Sequence, residues 1–186
     1  EVIEAGKQLK VIANYAVGFN NIDVVAASQR KIPVCNTPDV LTNASADFAW
    51  ALLMSTARRV IEGDIMTRSG QFKGWAPELL LGVEVYGKTL GIIGAGRIGQ
   101  AVAKRALGFD MRTLYHNRTR LPHTVEEKLN MEYVDLQTLL RQSDFVSLHC
   151  PLTPDTRYLI GQEELASMKS TAILINTARG PVVDET

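Results

Sequence analysis

The sequence is short of cysteine. Cys35 and Cys150 are the only two in 186 residues, too few for a disulfide framework, and both thiols are expected to be free in a reducing, cytoplasmic setting. It has no surplus of either charge. Twenty Lys and Arg stand against twenty Asp and Glu, which excludes a generally basic nucleic-acid-binding module. No apolar run approaches the ~18 residues that cross a membrane, and no basic-then-apolar leader opens the chain. There is no internal repeat, no low-complexity tract and no metal-ligating cluster. What is left, 46% hydrophobic and 22% charged, is the composition of a globular protein. The length suits one domain, or one with a piece of another. The opening at Glu1 and the stop at Thr186, soon after the apolar run AILINT, are what a fragment would show.

Apolar runs alternate with helical patterns along most of the chain. Residues 10–14 (KVIAN) and 32–35 (IPVC) read as buried strands, with a helix over 24–30 that Asp23 caps. That is a strand–helix–strand unit of a parallel α/β sheet. One long helix is expected over residues 43–69, with Phe48, Leu52, Met54, Val60, Ile61 and Ile65 among its apolar positions and Thr42 or Asn43 as cap. Residues 70–87, with Gly70, Gly74, Pro77, Gly82 and Gly87, read as irregular. A regular alternation follows. Strands are expected over 89–94, 112–116, 133–134, 145–149 and 172–176, and helices over 97–107, 124–129, 136–141 and 162–168. These strands are nearly continuous apolar runs, as expected where helices cover both faces of a sheet.

The segment GIIGAGRIGQAVAKRA holds G-x-G-x-x-G at Gly94, Gly96 and Gly99. It closes a strand and opens a helix, the context that gives the pattern meaning. Gly94 allows the tight turn, Gly96 lets a pyrophosphate approach the backbone, and Gly99 lets helix and strand pack closely. The helix start, with Arg97 and Ile98, offers amides to the phosphates. A dinucleotide is therefore the expected ligand. The acid that normally meets an NAD ribose at the end of the second strand is missing. The chain reads Asn117-Arg118-Thr119-Arg120 instead, with two guanidiniums to grip a 2′-phosphate and Asn117 and Thr119 to donate hydrogen bonds. That favours NADPH, with NAD possible as a second cofactor.

Together with the turn, the blocks YAVGFNNID, NTPDVLTNASADFAWALLM, GWAPELLLGVEVYGKTLGIIG, LHCPLTPDTRYLI and ILINTARGPVVDE resemble the D-isomer-specific 2-hydroxyacid dehydrogenase family. Within it, the likeness is greatest to glyoxylate/hydroxypyruvate and 2-ketoaldonate (2-ketogluconate) reductases. The resemblance implies a Rossmann-type doubly wound sheet for the cofactor and part of a flavodoxin-like substrate domain, joined by a long helix. Residues 1–42 would be the trailing part of the substrate domain, 43–70 the connecting helix, and 71–186 a cofactor domain incomplete at its C-terminal end. The implied activity is hydride transfer from NADPH to a small 2-keto acid, giving the D-2-hydroxy acid.

The resemblance also assigns residues. Arg179, in N-x-x-R-G, would bind the substrate carboxylate and polarise the carbonyl, a task suited to a planar cation that stays charged. Val17 and Gly18 would hold the carboxylate through backbone amides. Cys150, Pro151 and Thr156 would lie along the cofactor, and Thr177 and Ala178 near its nicotinamide ribose. Cys150 has no base placed for it and reads as a packing residue, not a nucleophile. The family's proton donor is a His held by a Glu, both beyond N-x-x-R-G. On that template none of His116, His123 and His149 is the acid, and the 186 residues alone would be inactive. Trp75, in GWAP, marks a homodimer contact. The other reading left open is a nucleotide-sensing corepressor, a binding protein on the same fold. A relative acting on formate or phosphite is a third.

Overall fold

The structure, a computed structural model, describes all 186 residues. The chain divides into two compact units, Glu1–Thr42 and Asn43–Thr186.

The first unit runs α1 (Val2–Ala5), β1 (Ile12–Ala13), α2 (Val24–Gln29) and β2 (Val34–Cys35). The two strands pair in parallel, Ile12 opposite Val34 and Ala13 opposite Cys35. Each is shorter than its apolar run. The Asp23 carboxylate accepts the Ala26 amide at 2.9 Å and starts α2, as a side-chain cap should. Ala27 and Ile32 are its buried apolar residues.

The second unit begins with helix, and here the sequence misleads. The single helix expected over 43–69 is two, α3 (Thr42–Ala57) and α4 (Val60–Arg68). Arg59, between them, is left-handed at φ +52°. The cause lies more than twenty residues on. Continued helix would give the Ala57 carbonyl to the amide four residues later. That oxygen instead accepts the Val83 amide at 2.7 Å. Gly82 passes so close that a Cβ would stand 2.2 Å from it. Of the apolar positions in these two helices, only some are buried. Ala46, Ala49, Trp50, Leu53 and Ala57 are inside, whereas Phe48, Val60, Ile61 and Ile65 are exposed.

The regular part matches its reading closely: β3 (Thr89–Ile93), α5 (Arg97–Ala106), β4 (Arg112–His116), α6 (His123–Leu129), β5 (Met131–Tyr133), α7 (Leu136–Gln142), β6 (Phe145–Leu148), α8 (Gln162–Ser167) and β7 (Ile173–Asn176). The sheet order is β5-β4-β3-β6-β7, all parallel. Two apolar clusters sandwich it. Leu90, Ile92, Tyr115 and Phe145 face α3 and α5. Ile93, Leu114, Val146 and Leu148 face α7. The period-2 alternation of strand side chains thus buries both faces. Trp50 stacks on Phe109 at 4.8 Å and donates to the Val102 carbonyl, which ties α3 to α5.

From central β3 the chain first winds to β4 and β5, then returns to β6 and β7. The crossovers therefore part at the carboxyl ends of β3 and β6, where open α/β sheets bind ligands. Packing beneath that point is tight. A Cβ on Gly91 would meet Ser143 Oγ at 2.3 Å and Leu139 Cδ2 at 2.5 Å, both groups being buried. Gly91→Ala is expected to cost about 2 kcal/mol through overpacking, read as a lowered urea midpoint with an unchanged slope. An unaltered midpoint would show that α7 yields.

Candidate functional site

The glycine turn is stitched to both neighbours of β3. The Gly94 amide donates to the His116 carbonyl at 3.0 Å, and the His149 amide donates to the Ile93 carbonyl at 2.8 Å. Gly94 sits at φ +94°, and a Cβ there would stand 2.4 Å from the Cys150 amide nitrogen. A Cβ on Gly99 would stand 2.4 Å from the Gly94 carbonyl oxygen, whereas one on Gly96 would meet nothing within 4 Å. The outer two glycines serve close packing, and the middle one faces open space where backbone is accessible. Arg97 and Ile98 follow in the first turn of α5, whose leading amides lack intrahelical acceptors. A cradle of this shape fits a pyrophosphate.

The loop after β4 departs from its reading at Arg120. Asn117 braces the turn, its Oδ1 accepting the Ala95 amide at 2.6 Å. Arg120 does not stand beside Arg118 as half of a two-arginine grip. Its guanidinium forms a bidentate pair with Glu126, at 2.8 and 2.9 Å. Glu126 is only 5% exposed. Arg120 and the Tyr115 hydroxyl hold its carboxyl down at about 2, and burial together with Glu126 pushes Tyr115 up to about 12. Arg118 and Thr119 are exposed, and Arg118 makes no ion pair.

After β6 the chain passes His149 and Cys150. Ser147 Oγ lies 2.8 Å from His149 Nε2, and Thr177 Oγ1 lies 3.4 Å from its Nδ1. Burial pushes this imidazole down to about 4. Cys150 is buried, with its thiol raised by burial; it packs with Ile93 and Leu148. Thr156 locks the following turn by donating to the Pro151 carbonyl at 2.6 Å and accepting the Thr153 amide at 2.8 Å. The segment then pairs with the chain beyond Arg179. Tyr158 and Ile160 donate to the carbonyls of Pro181 and Val182, at 2.8 and 3.1 Å.

Arg179 follows β7 in a braced turn. Asn176 spans it, accepting the Ala178 amide at 3.0 Å and donating to the Arg179 carbonyl at 2.9 Å. The Arg179 side chain is exposed, with Nη1 on the Ala178 carbonyl at 2.8 Å. Thr177, Ala178 and Arg179 thus share the carboxyl edge of the sheet with the glycine turn and with Cys150. In the first unit, Asn14 and Asn36 donate to the carbonyls of Gly18 and Val17 at 2.8 and 2.9 Å. The amides of Val17 and Gly18 donate to nothing.

Residues 50–186 match the model of the D-isomer specific 2-hydroxyacid dehydrogenase, NAD binding domain. The chain belongs to this family. A glyoxylate reductase of Thermococcus gammatolerans is 58% identical over 188 residues, which cover 99% of this chain and 56% of that protein. A solved glyoxylate reductase from Paecilomyes thermophila superposes with a TM-score of 0.86 at 41% identity, covering 95% of this chain and 52% of its own. A D-lactate dehydrogenase of Aquifex aeolicus, solved with NAD and lactic acid, gives 0.87 at 32% identity, covering 96% of this chain and 52% of that one. The chain spans about half the length of the curated glyoxylate reductases it matches. No helix is long and apolar enough to cross a membrane.

Sequence reasoning passed over Asn176, Tyr115 and Glu126. Asn176 opens N-x-x-R-G, and its place three residues before Arg179 was the available signal. Tyr115 lies in an apolar strand and Glu126 in a polar helix, so neither stood out.

The half-buried His149 sets a pH dependence. An unfolded imidazole takes up its proton near 6.5, whereas the folded one resists until about 4. Between those values the unfolded state binds more protons, so stability falls as pH drops through the window and levels off below it. His149→Gln cannot titrate. The stability gap between variant and parent, from urea melts at a series of pH values, is expected to shift in the variant's favour from pH 6.5 to 4. A constant gap would mean that His149 is not held as a neutral ring.

Proposed function

We propose that this chain carries the cofactor-binding half of an NADPH-dependent reductase. The substrate is a small 2-keto acid, with glyoxylate, hydroxypyruvate and 2-ketogluconate as the candidates, and the product is the D-2-hydroxy acid. The observation that carries this reading is the convergence on one sheet edge of the open Gly96 cradle and the Asn176-braced turn that presents Arg179. The names of the related reductases support it.

Each residue then has a task. The turn at Gly94, Gly96 and Gly99 and the first amides of α5 hold the pyrophosphate. Cys150, Pro151, Thr156, Thr177 and Ala178 line the cofactor's path. The nicotinamide, when bound, supplies the hydride. Arg179 orients the keto acid and draws charge onto its carbonyl oxygen. Residues 1–42 are the trailing part of a substrate domain, in which the backbone amides of Val17 and Gly18 are suited to a carboxylate. None of the three histidines is assigned as the proton donor. His149 stays neutral against Ser147 and Thr177, and the acid is expected from outside this chain. The exposed Arg118, in a loop without Asp or Glu from 116 to 121, selects the 2′-phosphate of NADPH.

A keto-acid panel run with NADPH and NADH, in the enzyme at the length of its relatives, tests this. Arg179→Gln should lower kcat/KM by about 100-fold or more. The pair Asn117→Asp and Arg118→Ala should reverse the cofactor preference. Full activity in the first variant, or unchanged selectivity in the second, refutes the corresponding assignment.

A homodimer is part of the same reading. Trp75 is 84% exposed, and Phe72, Leu81 and the α4 residues Ile61 and Ile65 are exposed as well, apolar surface of the kind that a second copy would cover. Trp75→Glu should shift the sedimenting species from dimer to monomer. A parent that sediments as a monomer, or a variant that stays dimeric, would count against the contact.

A further inference from the structure

Two arginines flank Thr119, and the fold treats them differently. Arg118 is exposed and unpaired. Arg120 is held on three sides. Its Nε and one Nη donate to the two carboxylate oxygens of Glu126, and its guanidinium carbon lies 5.8 Å from the centre of the Tyr133 ring. Glu126 is itself fixed. The Tyr115 hydroxyl donates to its Oε1 at 2.5 Å and accepts the Leu121 amide at 2.9 Å, so the latch also pins the loop's exit. His123 Nδ1 stands 3.7 Å from Glu126 Oε2.

We propose that Glu126 is a specificity-determining residue, withholding Arg120 so that Arg118 is the sole guanidinium offered to a 2′-phosphate. The inference rests on the NADPH reading above. Two physical effects carry it. A bidentate fork fixes the guanidinium in one plane, and swinging it to a ligand would strand a buried carboxylate, which is strongly unfavourable. The carboxylate also cancels the charge of Arg120, so the loop attracts a phosphate with one net positive charge, not two. The site favours NADPH without making NADH unusable. Glu126 acts here through Arg120 and does not touch the ligand.

Adenosine 2′,5′-bisphosphate and 5′-AMP isolate the 2′-phosphate from the rest of the cofactor. Their dissociation constants are measured by calorimetry for the parent and for three variants: Arg118→Ala, Glu126→Gln, and Arg120→Gln with Glu126→Gln. Circular dichroism checks folding. The parent should prefer the bisphosphate, and Arg118→Ala should abolish that preference. Glu126→Gln should raise it about fivefold at low salt, as Arg120 is released and a negative charge removed. The double variant removes one charge of each sign and should keep the preference within about twofold of the parent. A fall in the double variant as large as that in Arg118→Ala would mean that Arg120 grips the phosphate, and the inference is wrong. A preference unchanged or lowered in Glu126→Gln also overturns it. If Glu126→Gln does not fold, the charge-balanced double variant decides. A parent with no preference for the bisphosphate defeats the NADPH reading and the inference together.

Discussion

The carboxyl edge of the sheet is organised around a contact that permits no side chain. Gly94 lies against the backbone of Cys150, and a Cβ would stand 2.4 Å from that amide nitrogen. The contact brings the turn after β3 against the chain leaving β6. Those two strands part company at this place in the topology, so it fixes both walls of the crevice. Gly99, equally close to the Gly94 carbonyl, seats the start of α5 on the turn and aims its first amides outward. A bulkier residue at either position would push helix and strand apart and lift the amides from the ligand's path.

Side-chain amides do much of the bracing in each unit. Asn117 holds the amide of Ala95, and Asn176 clamps both ends of the turn that presents Arg179. In the first unit, Asn14 and Asn36 take the carbonyls of Gly18 and Val17. An amide side chain donates and accepts at once, so one residue can satisfy a turn's backbone without adding charge beside an anionic ligand. The turn at Gly96 and the turn that carries Arg179 are thus each braced by a neutral residue.

Most of the parallel sheet was legible in the order of residues. Its strands are short apolar runs closed by polar or glycine turns, and Asp23 caps its helix as read, accepting an amide three residues on. The glycine turn was legible too, from its spacing between an apolar strand and a helix, although the Cys150 backbone that Gly94 packs against was not. The break at Arg59 was not. The apolar pattern of α3 continues into α4, and only the arrival of Gly82 and Val83 at the Ala57 carbonyl ends the first helix.

The loop after β4 marks the same boundary between local and distant causes. Sequence by itself determined that the loop is basic, lacks an acid at the strand's end and follows a dinucleotide-type turn. It could not tell Arg118 from Arg120, since each is an arginine beside Thr119 with the same local preferences. Tertiary structure separated them. Winding α6 back onto the sheet buries Glu126 beside the Tyr115 hydroxyl, and a buried carboxylate must find a cation. Arg120 lies within reach and pairs with it, and Arg118 remains open to solvent. The alternation of strands and helices could be read from periodicity, which is a property of neighbours in the chain. Which cation stays available depended on desolvation, which arises only once the chain has folded.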